Sequence, residues 1–379
     1  MDRRRFLKYT SLAGAGFAFA ACSQGGSNST GESNAPASPV AANDPLKVGF
    51  IYVGPVGDFG WTYAHDAGRK EMEANLKGKV VSKFVESVNE GADAERVIRQ
   101  LALDGNKLIF TTSFGFMNPT IKVAKDFPNV VFEHCSGYKQ AENVGTYQGR
   151  YEEARYLTGM IAGKMTKSNV IGYLGAYPIP EVVRGIDAFT QGLRATNPKA
   201  TVKVVWVQSW YDPAKEREAA LALANLGADV MAQHTDSAAA VQLAQEKGIY
   251  AIGYNTDMSK FGPKAQLTAA INKWGGFYTE TAQAVLNGTW KSGDVWAGIG
   301  KGVVDISPMN NAIPKDVQEL VNAKREELIK GTAHPFDGPV KDQSGTVRVP
   351  QGKVLEDKEQ LAMDWYVQGI EGSIPKAQS

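Results

Sequence analysis

Aromatic and acidic side chains recur in this sequence just after short apolar runs. Asp58 and Trp61 follow the run Val48–Val53, and Phe114 and Phe116 follow Thr111-Thr112. Trp210 and Asp212 follow Val202–Val207, Asp236 follows Gln233-His234, Asp257 follows Tyr254, and Asn272 and Trp274 follow Ile271. A ring offers a plate for stacking, and a carboxylate or amide offers hydrogen-bond acceptors along an edge. Taken singly, such an aromatic is more often a packing residue, and an Asp before a helix is as often a cap or turn residue. Repetition along the chain carries the signal. A cleft lined by plates and a few acceptors suits a planar heterocycle or a sugar. The candidate binding residues are therefore Asp58, Trp61, Phe114, Trp210, Asp236, Asp257, Asn272 and Trp274.

Covalent, metal and phosphate chemistry find little support. Gly54-Pro55-Val56-Gly57-Asp58 matches neither GxGxxG nor a Walker loop, and no GxSxG is present. The four histidines, at 65, 134, 234 and 334, show no HxxxH or HxH spacing for a metal. His134-Cys135 could mimic a base and a nucleophile, but a strand-end His beside a buried Cys is the simpler reading. No catalytic residue, metal or cofactor is expected. The formal net charge is +1; four basic residues against one acid before Cys22 account for +3, leaving about −2 on the rest. No basic surplus or basic run supports nucleic-acid binding.

Strand-length apolar runs alternate with helical periodicity from Leu46 onward. Leu46–Val53 stops at a loop rich in Gly, Pro and Asp and feeds a helix near Trp61–Leu76, followed by strand Lys79–Val85. Ala94, Val97, Ile98 and Leu101 make an i, i+3, i+4, i+7 stripe on a helix over 92–103. Strand Lys107–Thr112 precedes Asn118-Pro119, which reads as an N-cap with Pro in the first turn. Val130–Glu133 and Val144–Tyr147 complete this series. A second series begins near Glu152, with strands at 170–174, 202–207, 229–233 and 250–254 separated by helices. One of these helices carries Val182, Ile186, Phe189 and Leu193 on one face. Such alternation implies α/β architecture with parallel sheets, and two series imply two lobes with a cleft between them. Ligands of open α/β sheets sit at the carboxyl ends of the strands, where the candidates fall.

The expected organisation is a first lobe over 46–150 and a second over 151–274. Strand Gln266–Ile271 and helix Gly275–Leu286 form a crossing, with 275–290 returning to the first lobe. Residues 291–379 make an extension completing the lobes, with a hairpin near Ser344-Gly345 and a closing helix at Gln360–Tyr366. Residues 1–21 read as a signal peptide: Arg3-Arg4-Arg5 precedes a weakly apolar run too short for a membrane span. Phe19-Ala20-Ala21-Cys22 resembles a lipobox, with Phe19 in place of the usual Leu, and makes Cys22 the candidate lipidated residue. A plain cleaved signal with an incidental Cys is the alternative. Residues 22–45, rich in Ser, Gly, Asn, Ala and Pro, read as a disordered tether. Cys135 reads as a small buried hydrophobe.

The run GPVGDFGWTYAHDAGR resembles the basic membrane protein family of solute-binding lipoproteins, the purine nucleoside receptor group. So do TTSFGFMNPTIKVAKDFPNVVFEH, YEEARYLTGMIAGKMTK, PIPEVVRGIDAFTQG, WVQSWYDPAKE and QHTDSAAAVQLAQEKG, in the same order, between about Leu46 and Gly372. The resemblance implies a type I periplasmic-binding-protein fold, with two Rossmann-like lobes joined by a hinge. It also implies service to an ABC importer with a permease and an ATPase. The family's ligands are purine nucleosides or, in members with the GDFGWTY form, free bases. Its first loop commonly reads Asp-x-Ser-Phe-Asn, and Asp58, Gly60, Trp61 and Thr62 stand at those places. The family's ribose-binding Asp falls at Asp257, and a Lys of nucleoside-binding members falls at Asn272. The missing Asn and Lys favour a bare base of the adenine, guanine or hypoxanthine type over its nucleoside.

The leading expectation is a monomeric, lipid-anchored receptor on an extracytoplasmic membrane face that binds a purine. A purine nucleoside receptor is the first alternative. A nucleoside-processing enzyme would need a metal cluster or a paired acid and base, and a sensor ectodomain would need a signalling partner.

Overall fold

The computed structural model describes residues 44–376. The signal, Cys22 and nearly all of the tether lie outside these residues. The first series forms strands β1 (Leu46–Ile51), β2 (Val80–Val85), β3 (Leu108–Thr111), β4 (Val131–Cys135) and β5 (Val144–Gly149). Helices α1 (Trp61–Asn75), α2 (Ala92–Leu103) and α3 (Met117–Ala124) connect the first four strands. β1, β3 and β5 are almost wholly buried, as strands covered on both faces must be. In α2 the stripe Ala94, Val97, Ile98 and Leu101 is buried, and acids occupy the opposite face of the first turn.

The second series runs α4 (Tyr151–Met165), β6 (Val170–Gly175), α5 (Pro180–Thr196), β7 (Thr201–Trp206), α6 (Pro213–Asn225), β8 (Val230–His234), α7 (Ala239–Lys247), β9 (Tyr250–Asn255) and β10 (Gln266–Asn272). Then follow α8 (Gly275–Leu286), β11 (Asp294–Ala297), β12 (Val304–Ile306), α9 (Lys315–Ile329), β13 (Val340–Lys341), β14 (Val347–Val349), α10 (Asp357–Leu361) and β15 (Ile370–Glu371).

One sheet has the order β11-β5-β4-β3-β1-β2 and is parallel throughout. The other has the order β12-β10-β9-β8-β6-β7-β15, antiparallel only where β12 joins β10. Within each sheet, the five strands in chain order stand as 2-1-3-4-5, the doubly wound order. Its switch point lies between the first and third strands: β1 and β3 in one lobe, β6 and β8 in the other. The chain passes between the lobes at 149–151, 272–275 and 297–304.

Several local expectations need correction. The strand at 266–272 belongs to the second sheet, so the crossing begins with α8 rather than with that strand. Asn118 is not an N-cap: α3 already starts at Met117, continuing a single 3-10 turn over Phe114–Phe116, so Pro119 is its third residue. The closing helix lies at Asp357–Leu361, because a Glu356/Glu359 capping box starts it before Gln360, and residues 362–366 are not helical. The hairpin forms from β13 and β14, with Asp342 accepting from the Ser344 and Thr346 N–H groups across its turn.

Candidate functional site

The carboxyl ends of β1, β3, β6 and β8 converge on one cavity of about 350 Å³ between the lobes. Val53, Trp61, Ser113, Phe114 and Ser136 line it from the first lobe, and Ile179, Glu181, Trp210, His234, Asp236 and Tyr254 from the second. Two switch points therefore face each other across one space, where doubly wound sheets hold ligands.

Trp61 opens α1 and is pinned by its indole Nε1, which donates to the Thr112 carbonyl at 2.5 Å. Its ring is packed edge-on against His65 at 4.5 Å and Tyr151 at 6.1 Å. Trp210 is half-buried, set edge-on to Tyr177 at 5.0 Å, and its Nε1 has no protein partner. Phe114 is half-buried on the turn after β3. These three rings, candidates in the sequence, line the cavity.

Asp236 follows β8 and is buried. Its Oδ1 accepts from the Asn255 amide at 3.0 Å, and the Asn255 Oδ1 accepts from Asn272 at 2.8 Å. Asn272 thus reaches the cavity only through Asn255 and Asp236. Burial, then the nearby Asp58 and Glu216 charges, push the Asp236 carboxyl well above the usual range.

Asp58 turns away from the cavity. Its Oδ1 accepts from the N–H groups of Gly60 at 2.8 Å and Tyr63 at 3.0 Å, and its Oδ2 from that of Thr62 at 3.0 Å. The residue caps the start of α1 and holds Trp61 in place. Burial raises its carboxyl to about 6, against the lowering effect of these backbone bonds. Trp274 is buried behind Trp61 and stacks on His65 at 4.9 Å with planes 7° apart, so it packs and does not line the cavity. Asp257 is exposed, its Oδ1 taken by the Ser259 N–H at 2.9 Å and the Gln266 amide at 2.7 Å. The structure brings Trp61, Phe114, Trp210 and Asp236 together, sets Asp58, Asn272 and Trp274 behind them, and leaves Asp257 outside.

Glu181, His234, Tyr254, Ser113, Ser136 and Ile179 complete the walls without having been singled out as binding residues. The signal was there in His234, at the end of β8 two residues before Asp236. Glu181, in the first turn of α5, reads in sequence as an ordinary helix-start acid. The Tyr254 hydroxyl lies 3.0 Å from His234 Nε2, and the Arg155 guanidinium sits 3.7 Å from the Tyr254 ring centroid. Burial lowers the His234 imidazole to about 4, so it is neutral at pH 7.

The His134-Cys135 pair is buried, and burial pushes the Cys135 thiol well above its usual range, away from the thiolate a nucleophile needs. Among the described residues, no group of three or more His, Cys, Asp or Glu is arranged to hold a metal ion. None of their helices is long and apolar enough to cross a membrane.

The first-lobe loop also touches the second lobe directly. Thr256 donates its hydroxyl to the Phe59 carbonyl, the Phe59 ring meets Phe261 edge-on at 4.9 Å, and Gly60 lies against the Asp236 backbone. The lobes are closed over the cavity.

Two doubly wound lobes closed on a cavity at their facing switch points make a type I periplasmic binding protein. Solved solute-binding proteins share this fold. An ABC transporter protein from Aeropyrum pernix K1 has a TM-score of 0.66 at 18% identity, covering 79% of this chain and 93% of that one. One from Conexibacter woesei has a TM-score of 0.61 at 23% identity, covering 76% and 98%. The model of the family described as ABC transporter substrate-binding protein PnrA-like matches residues 46–335, and the chain belongs to that family. It is 50% identical over 335 residues to a purine-binding protein of Brucella abortus, covering 88% of this chain and 95% of that protein. It is 36% identical over 332 residues, covering 88% and 82%, to TsgA13 of Haloferax volcanii, provisionally named a glucose-binding protein of an ABC transporter. Membership makes this an extracytoplasmic substrate-binding protein of an ABC transporter, with a small-molecule ligand and a permease and ATPase as partners.

Proposed function

We propose that this protein captures a free purine base in the interlobe cavity and delivers it to its ABC permease. The carrying observation is the lining of the cavity: Trp61 and Phe114 of one lobe and Trp210 of the other, with the Glu181 and Asp236 carboxylates among its walls. Half-identity to a purine-binding protein supports the same ligand class. A closed state held by contacts from both lobes is what ligand binding would select. A chamber that shares Phe114, Ser136, Ile179 and Glu181 with the cavity favours a second reading, a purine nucleoside with its sugar lodged there. A sugar ligand is the third, suggested by the relative named for glucose. Calorimetric titration of adenine, guanine, hypoxanthine, adenosine, guanosine and glucose separates them. The base reading requires at least one base to bind more tightly than every nucleoside and glucose. Nucleosides binding as tightly as the bases would replace it with the second reading.

In this proposal Cys22 carries the lipid that holds the monomer at the membrane, with residues 22–45 as the tether. Cys22→Ser would then release the protein from membranes; continued retention would exclude the anchor.

A further inference from the structure

Glu181 stands between two spaces. It lines the cavity, and it also lines the adjoining chamber, which shares Phe114, Ser136 and Ile179 with it. Lys358 and Leu361 of α10, with Ala362 just after it, wall that chamber. The Glu181 side chain is 11% exposed, with Oε1 3.7 Å from His234 Nε2, an ion-pair distance longer than a hydrogen bond. Its Oε2 is buried with no partner in the protein.

The surroundings favour the carboxylate form. Burial works to raise its pKa, and His234, the Ser136 hydroxyl and the Arg184 charge lower it, for a net downward shift; with His234 neutral at pH 7, the Ser136 hydroxyl and the Arg184 charge are what persist. Arg155 stands over the Tyr254 ring with Nε and one Nη lacking partners, and Arg184 donates to Glu152 at 3.2 Å and to the Gln360 carbonyl at 3.1 Å. A buried carboxylate oxygen without a donor, on a side chain that lines the cavity, needs one from the ligand.

We infer that Glu181 sets the selectivity of this cavity, accepting the imidazole N–H of a free purine base and closing the passage through which a nucleoside's sugar would enter the chamber. The inference rests on the purine reading above. A free base carries an N–H at N7 or N9. An N9-glycoside lacks the N9 donor and carries a sugar in its place. Such a ligand meets Glu181 twice, leaving Oε2 unpaired and pressing bulk against the partition.

The test titrates hypoxanthine, 9-methylhypoxanthine and inosine into the full chain purified in detergent, as wild type, Glu181→Gln and Glu181→Ala. The wild type should bind hypoxanthine at least 100-fold more tightly than inosine and at least tenfold more tightly than the 9-methyl base, whose added group is small. Glu181→Gln keeps the bulk and loses the charge, so it should weaken hypoxanthine at least tenfold while inosine stays weak. Glu181→Ala opens the partition and should bring inosine to within tenfold of hypoxanthine. If Glu181→Ala does not fold, the 9-methyl base and Glu181→Gln still decide. A wild type that binds hypoxanthine, with ratios unchanged in both variants, overturns the assignment of Glu181 and leaves the purine reading standing. A wild type that binds none of the three, nor adenine nor guanine, overturns the purine reading itself.

Discussion

Replacing Gly60 with Ala should oppose closure of the lobes. Gly60 sits at the start of α1, in the first-lobe loop that touches the second. A methyl there would stand 2.2 Å from the Asp236 carbonyl oxygen and 2.7 Å from its Cα and carbonyl carbon. These are backbone atoms, which no rotamer change can move. Ordinary contact begins near 3.4 Å, so the loop and the Asp236 backbone must part by about 1.2 Å. Inserting a methyl into packed contacts costs about 1–3 kcal/mol. With the lobes apart this contact would be absent, so the clash opposes the closed form, and at ~1.4 kcal/mol per tenfold it weakens ligand affinity about 5- to 150-fold. The Gly60 backbone, at φ −111° and ψ −126°, lies outside the regions open to Ala and adds a cost common to both states. Calorimetry with the tightest ligand measures the loss. Small-angle scattering should find the variant more expanded than wild type with ligand present. Wild-type affinity in Gly60→Ala would show that the closed contact is not what ligand binding depends on.

Trp61→Ala and Trp210→Ala should each weaken purine binding at least tenfold, since stacking adds ~0.5–1.5 kcal/mol to the loss of buried area; unchanged calorimetric affinity in both would make them packing residues only. Asp257→Ala should leave affinity within about twofold, because the carboxylate is spent on Ser259 and Gln266; a tenfold loss would return Asp257 to the site. Glu133→Gln should stabilise the protein at neutral to alkaline pH. Glu133 is buried on β4, accepts from Trp290 Nε1 at 2.8 Å, and is raised by burial from 4.5 to about 7. The folded state thus holds this proton more tightly than the unfolded chain, so wild-type stability falls as pH rises from about 4.5 to 7 and then levels off. The full penalty is roughly 3 kcal/mol. Urea melts should show the variant's advantage near zero at pH 4, growing to about 1–3 kcal/mol at pH 8, the lower figure allowing for the unpaired amide; an advantage independent of pH would refute this cause.

The periodicities read in the sequence translate directly into the lobes, because a two-sided parallel sheet leaves each strand as an uninterrupted apolar run and each helix as a stripe. The cavity-lining rings Trp61, Phe114 and Trp210 follow strands in the same way, though Phe116 and Trp274, in like positions, are buried away from the cavity. What linear order hides is the direction of a side chain. Asp58 and Asp236 both follow strands, yet Asp58 turns back onto three N–H groups of its own loop while Asp236 lines the cavity. Asp257 lies past the end of β9, where the loop has turned outward. Asn255, two residues earlier, is the one in the buried network. Glu181 was invisible because a helix-start acid needs no ligand to explain it, and only the meeting of α5 with the first lobe makes it a wall.

The most direct test of the central claim is the mass of the small molecule released when protein purified rapidly from its native cells is denatured. A purine base, at close to one per protein and lost from the Trp61→Ala, Trp210→Ala double variant, is the predicted result. A hexose or an intact nucleoside released in that amount would contradict it.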